Sequence, residues 1–287
     1  MFTDYLAKWL VRGRTVWYAT GNIAHDKAID LVSQVRDSFG LESLDIDEIA
    51  DVRALSLDDA TSTLVEFPLV DDKNDNSCTI TYYEVGCLKG DSQLKLTNAI
   101  MMQYIDEPFF NDLRTQQQLG YVVYSKESVL EDVLSNQFIV QSPKKSCEYL
   151  VGAINKFLVE MRAKFKQLTD EEFETQRKSV HTIIAEKDIN LSRDNSRMWG
   201  EIMKHRYCFD KQARDIDTLA TVTKQDVQAL FEKVFFSSDS KRLDLELTSS
   251  AHAEEQAKLR EENEGHEAFK VFKARVKVTD SVENFKK

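Results

Sequence analysis

Arg114 and Tyr121 lie seven residues apart, with the run Gln116-Gln117-Gln118 and then Gly120 between them. Both types suit the stabilisation of charge on a carbonyl oxygen. A guanidinium is a planar fork that holds carbonyl or carboxylate oxygens through two N–H groups. A tyrosine hydroxyl donates to an oxyanion, and loss of such a donor costs roughly 3–4 kcal/mol of transition-state stabilisation. Taken singly, an arginine at a helix end is ordinarily a dipole partner and a tyrosine at a strand start is ordinarily half-buried packing. Gln118 and its neighbours could hold a peptide backbone, although a solvated helix face is the simpler reading. Gly120 marks a backbone position that needs positive φ or a close approach.

Histidine chemistry is limited. An inverted zinc-peptidase site needs H-x-x-E-H, two ligands on one helical turn with a glutamate that activates water. The five histidines are His25, His181, His205, His252 and His266, and none heads that motif. The nearest approach is His252-Ala-Glu-Glu255-Gln256, where glutamine replaces the second histidine. His181 with Glu186, and His266 with Glu267, read as charged helix faces. No Gly-rich phosphate loop and no G-x-S-x-G elbow is present. Cys78, Cys87, Cys147 and Cys208 are too scattered for a CxxC pair and too few for a disulfide framework, so free thiols in a reducing compartment are expected.

The elements that must position Arg114 and Tyr121 follow from periodicity. Residues 107–118 read as a helix and 120–125 as a strand, so the pair straddles a helix-to-strand corner. Around it lie a strand over 78–85, a helix over 92–106, a strand over 135–141 and a long helix over 146–165. This irregular alternation fits a mixed sheet better than a parallel βαβ array. Thr169 with Glu172 forms a capping-box signal, and Thr223 opens a further helix. Residues 242–249 alternate as a strand, Leu243, Leu245 and Leu247 on one face and Asp244, Glu246 and Thr248 on the other. Residues 251–276 are charge-dense and read as a solvated helix.

Upstream, residues 15–23 read as a strand and 25–39 as a helix stopped by Gly40. Between Leu41 and Ser77 stand eleven acidic residues against two basic ones, a linker-like composition. Within it 62–70 can form a strand, at an edge because of Pro68.

The chain has 287 residues, 42% of them hydrophobic, enough for one large or two modest cores. Its formal charge of -11 argues against nucleic acid, which needs a basic patch to displace counterions. No apolar run reaches the roughly 18–20 residues of a membrane span, and Asp4 and Lys8 interrupt the first ten residues where a signal peptide would be apolar. A soluble, cytoplasmic protein is expected.

Residues 108–123, PFFNDLRTQQQLGYVV, resemble nearly residue for residue the F-N-x-L-R-T-x-x-Q-L-G-Y-x-V signature in the carboxy-terminal half of insulin-degrading-type metallopeptidases, family M16. Trp199-Gly200-Glu201-Ile202, Tyr207-Cys208-Phe209-Asp210 and the Gly21-Asn22-Ile23 turn are similar to that family in order and spacing. The resemblance implies an α+β roll: a mixed, largely antiparallel sheet with helices packed on one face, preceded by a partial strand-helix unit. It implies that residues 1–45 are the tail of a preceding domain, 46–60 an acidic linker and 61–287 the carboxy-terminal domain.

By the same resemblance, Arg114 and Tyr121 face peptide substrate, with Gln118 and Gly120 beside them, and assist a zinc site on the amino-terminal half. This chain is then expected to bind no metal or cofactor itself and to be inactive alone. Its partners would be that half, in cis or in trans, and peptides. Two rival readings remain: a non-catalytic scaffold or assembly subunit of the same fold, and an independent zinc hydrolase built on His252. The chain stops at Phe285-Lys286-Lys287, before the apolar tail the family pattern suggests.

Overall fold

The computed structural model describes residues 2–9, 11–49, 52, 54, 56–57, 62–69, 71, 73–263 and 276–279. In chain order the elements are α1 (Phe2–Trp9), β1 (Arg12–Gly13), α2 (His25–Phe39), β2 (Glu42–Ser43), β3 (Ser62–Pro68), β4 (Ser77–Cys87), α3 (Ser92–Phe110), β5 (Val122–Leu130), β6 (Val133–Ser142), α4 (Cys147–Lys166), α5 (Asp170–Ala185), α6 (Leu191–Met203), α7 (Lys211–Leu219), α8 (Lys224–Phe236), β7 (Lys241–Thr248), α9 (Ala253–Asn263) and β8 (Val276–Thr279). They divide into two compact units, residues 1–53 with 187–210, and 54–186 with 211–287. Residues 187–210 thus group with the chain start, whereas the sequence reading kept them in the block after residue 61.

In the first unit α2 matches its predicted span and stops at Gly40, whose φ of 58° is the left-handed conformation that glycine adopts freely. The strand expected over 15–23 does not form; residues 15–20 have no regular structure and residues 21–22 make a bend in which the Ile23 N–H bonds to the Gly21 carbonyl at 2.9 Å. The unit's described pairing is instead two residues long, β1 parallel to β2, and Arg12 fixes it through Glu48 at 2.9 Å. Trp199 of α6 lies 6.4 Å, centroid to centroid, from Tyr18, and the Leu191 side chain sits against Gly21.

The second unit is an α+β roll. Its six strands run in the order β5-β6-β4-β7-β3-β8, with β5, β6, β4 and β7 antiparallel in turn and β3 parallel to both β7 and β8. The first four residues of β3 are therefore flanked on both sides, a correction to the edge position expected from Pro68. Among the described residues, β8 pairs with Ser62 to Val65, and Pro68 lies outside that described pairing.

Helices α3, α4 and α8 cover one face of this sheet. Tyr83, Phe109, Phe138, Phe165, Phe231 and Phe235 are fully buried between the layers. Tyr83 meets Phe235 edge to face at 4.8 Å and Phe109 meets Phe138 likewise at 5.2 Å, while Phe165 and Phe231 stack at 4.0 Å. Such contacts add to the burial of large apolar area. The predicted capping box of Thr169 with Glu172 is made and starts α5, and Thr223, predicted to open a helix, starts α8 and forms a second box with Asp226. Helices expected over 92–106 and 107–118 are one continuous helical run, since Pro108 occurs within α3 and the chain passes directly into a π-helical turn.

The alternation of β7 holds, with its charged face turned inward. Arg242, Asp244 and Glu246 are buried, while Leu243, Leu245 and Leu247 are half-buried on the other face. Arg242 makes a bidentate pair with Asp244 at 2.8 and 3.0 Å and donates to Asn155 of α4 at 2.8 Å; Thr81 donates to Asp244 at 2.7 Å. Buried charge on this scale is tolerated because each group is paired and hydrogen-bonded.

Helix α9 is also a correction. Most of its residues are exposed as expected, but one face docks: Gln256 is buried and donates to Glu246 at 2.9 Å, Arg260 reaches Glu246 at 2.9 Å, and Glu255 accepts from the Ser146 backbone N–H at 2.7 Å. The helix is described as far as Asn263, residues 264–275 lie outside those described, and Val276–Thr279 are in β8.

Burial raises the Glu246 carboxyl from 4.5 to about 7, against the pull of Arg260. The folded protein therefore holds this proton more tightly than the unfolded chain does between about pH 4.5 and 7. Its contribution to stability is present below that window and is lost as pH rises through it. Equilibrium denaturation measured at a series of pH values should show Glu246→Gln with a flatter stability profile than the parent across that window, by an amount on the order of a few kcal/mol. Parallel profiles would refute the assignment.

Candidate functional site

The corner between α3 and β5 is built by three departures from regular helix. Pro108 lacks a backbone N–H, so one rung of the helical ladder is missing. The chain then widens over Asn111–Gln116 into a π-helical turn, in which the Gln117 N–H bonds to the Asp112 carbonyl at 2.9 Å. Gln118 adopts φ of 52°, and the Leu119 N–H closes back on the Leu113 carbonyl at 3.1 Å. Leu113 and Leu119 are both sunk in the core and pin the turn from below.

Gly120 meets the most severe steric limit in the corner. A Cβ there would stand 1.8 Å from the Gln141 carbonyl oxygen and 2.9 Å from its carbon, far inside contact distance. The residue is required by close approach to β6, one of the two reasons the sequence allowed. The chain then enters β5, where Val122 pairs with Gln141.

This corner places Arg114 beside Tyr121. The Arg114 Nε donates to the Tyr121 backbone carbonyl at 3.4 Å. The centre of its guanidinium lies 5.0 Å from the Phe110 ring and 5.3 Å from the Tyr121 ring, cation–π distances on two aromatics. Among the described residues the two Nη groups have no hydrogen-bond partner. Tyr121 is 86% exposed, and Arg114 is half-buried.

Arg114, Gln118, Gly120 and Tyr121 line one depression of about 500 Å³, with Asn76, Gln141 and Lys144 opposite. Two cations and no carboxylate line it, despite the acidity of the chain. Gln117 is turned away and ties to Asp112 at 3.1 Å, and Gln116 is exposed outside the depression. Sequence reasoning missed Phe110, Gln141 and Lys144. Phe110 had a signal, its spacing of four residues before Arg114 on one helical face; Gln141 and Lys144 reach the site only through strand pairing.

The described residues of the HAEEQ stretch do not fit a zinc site. The His252 ring nitrogen Nε2 is engaged with the Asp75 carbonyl at 3.1 Å, Glu255 is held by Lys145 and Ser146, and Gln256 bridges to Glu246 and the Glu148 N–H. The HAEEQ stretch is thus the docking end of α9. Among the described residues no three His, Cys, Asp or Glu side chains converge as metal ligands. His266 lies outside the described residues. A thiol nucleophile is disfavoured at Cys147, where burial pushes the thiol up to about 12.

Fold and corner together describe an M16-type roll. Residues 100–199 match the family model described as PQQ synthase PqqF-like, C-terminal lobe domain 4. A nardilysin-like protein of Arabidopsis thaliana is 29% identical over 77% of this chain and 22% of its own length. Human insulin-degrading enzyme is 30% identical over 55% of this chain and 15% of its own. The crystal structure of pitrilysin superposes with a TM-score of 0.73 at 18% identity, covering 92% of this chain and 26% of that one. The chain is a homologue of these M16 peptidases and spans less than a quarter of the length of the two curated relatives.

Gly120→Ala should lower stability by about 2–3 kcal/mol or more, because backbone and not a flexible side-chain end blocks the new methyl group. Gln118→Gly, which relieves a left-handed residue, should be neutral or stabilising by up to about 1 kcal/mol. Thermal denaturation of the two variants checks both signs.

Proposed function

We propose that this chain acts as the non-zinc-binding carboxy-terminal half of an M16 zinc metalloendopeptidase that degrades peptides. In this reading residues 1–45 are the tail of a preceding domain, 46–60 an acidic linker and 61–287 the carboxy-terminal domain. The observation that carries it is the convergence of Arg114 and Tyr121 in a cationic depression. The Tyr121 hydroxyl donates to the oxyanion that develops on an attacked peptide carbonyl. The open Nη groups of Arg114 hold a neighbouring carbonyl or carboxylate oxygen of the substrate, and Gln118 and the Gly120 backbone complete the wall.

The division of labour follows from the chain's own residues. Among the described residues His252, Glu255 and Gln256 serve the docking of α9 and no three His, Cys, Asp or Glu side chains converge as metal ligands, which supports assigning zinc to an amino-terminal half supplied in cis or in trans. Cytoplasmic residence is part of the same proposal. Among the described residues no helix is long and apolar enough to cross a membrane.

Mixing the purified chain with a zinc-bearing amino-terminal M16 half and following cleavage of a fluorogenic peptide tests the reading. The chain alone should be silent and the mixture active. Tyr121→Phe should reduce kcat about 10²- to 10³-fold, the loss typical of a removed oxyanion donor. Absence of turnover in the mixture, or a Tyr121→Phe variant as fast as the parent, would overturn the proposal; a stable but inactive complex would favour a scaffold role.

A further inference from the structure

Strand β5 is the end strand of the sheet and, among the described residues, pairs with β6 alone. Its ladder can be read residue by residue from the turn that closes the hairpin. Glu131 and Asp132 form a two-residue loop with φ of 44° and 67°, the left-handed pair of a type I′ turn, and Leu130 stands opposite Val133. In such a hairpin the closing pair exchanges both backbone hydrogen bonds, and the pattern then alternates. Val122, Tyr124, Lys126, Ser128 and Leu130 therefore turn their N–H and C=O groups towards β6. Val123, Ser125, Glu127 and Val129 turn theirs outward.

Two contacts agree with this phase. The Ser128 carbonyl accepts from Ser135 of β6 at 3.2 Å, so it faces β6. The Tyr121 carbonyl, outward in this phase, accepts from Arg114.

The outward edge has properties that sheet edges usually lack. Its pairing with β6 runs from Val122 to Leu130 without a bulge, whereas β4 has one between Glu84 and Gly86. No proline occurs in β5. From Val123 to Val129 it presents roughly 20 Å of unpaired backbone at about 3.3 Å per residue. The side chains of Val123 and Ser125 are buried under α3 and those of Tyr124 and Lys126 are exposed on the opposite face, so the strand is held firmly from one side. At its start the edge runs into the depression lined by Gly120, Tyr121 and Val122. Arg114 occupies the Tyr121 carbonyl there and ends the edge at the proposed site.

We infer that the free edge of β5 is a binding site for an extended peptide segment, which adds to the sheet as a further strand and leads one end into the Arg114–Tyr121 depression. The peptide is recognised through its backbone by Val123, Ser125, Glu127 and Val129, so the site is tolerant of sequence and requires an unfolded stretch of about seven residues. This inference rests on the proposed function for the identity of the occupant as substrate.

The test uses the full chain and an end-capped peptide of about ten alternating valine and lysine residues, long enough to span the edge. Amide hydrogen exchange resolved by NMR should slow about tenfold or more at Val123, Ser125, Glu127 and Val129 when the peptide saturates, with little change at Tyr124, Lys126 and Ser128. N-methylation of one alternate set of peptide amides should weaken binding at least about tenfold, and methylation of the other set should not. No binding at millimolar peptide, or protection that does not alternate along β5, overturns the inference. Alternating protection in a chain that gives no turnover with the zinc-bearing half would sink the proposed function alone, and turnover without that protection would sink this inference alone.

Discussion

The contact between Gly120 and the Gln141 carbonyl is the constraint on which the site depends. No side chain fits between the corner and β6, so the backbone of the corner is pressed against the strand that organises the sheet. The consequences run in both directions along the chain. Upstream, the π-helical turn and the left-handed Gln118 absorb the change of direction and bring Arg114 back over Tyr121. Downstream, β5 starts in register with β6 at Val122 and keeps that register to the hairpin turn. Arg114 stands on the π-helical turn and Tyr121 in the short connection to β5, whose path is pinned by Leu119 and Gly120.

A second set of polar contacts secures the other end of the sheet. A strand whose inner face carries Arg242, Asp244 and Glu246 would normally be unstable, because each charge loses its hydration. Here α4 supplies Asn155, β4 supplies Thr81 and α9 supplies Gln256 and Arg260, so burial and pairing arrive together. Helix α9 has few large apolar residues with which to dock. Its attachment is polar, and its sequence therefore looks like a solvated helix while its Gln256 is buried.

Much of the fold was legible because local rules and global packing agree. The stop at Gly40, the capping boxes at Thr169 and Thr223, and the alternation of β7 are signals written in single residues with one physical meaning each. The failures arise where a distant partner decides. Residues 15–23 have strand-like composition but find no neighbouring strand. Pro68 implied an edge, yet Ser62 to Val65 of the same strand are flanked by both β7 and β8. At the site, Arg114, Gln118, Gly120 and Tyr121 could be named because they are close in sequence, whereas Lys144 enters only when β5 and β6 pair.

Glu246 shows why chemistry should be read from access as well as from titration. A carboxyl raised to about 7 ordinarily marks a candidate general acid, since catalytic groups work near their own pKa. Glu246, however, is 2% exposed and sealed beneath α9, and its partners Gln256 and Arg260 both belong to the helix that covers it. A substrate could reach it only by lifting α9, which would remove the burial that raises its pKa. The depression at the α3–β5 corner has the opposite character. Arg114 presents open donors on a braced guanidinium, Tyr121 stands in solvent beside it, and the β5 edge leads into it. The molecule keeps its paired charges inside for cohesion and the open donors of Arg114 at the surface.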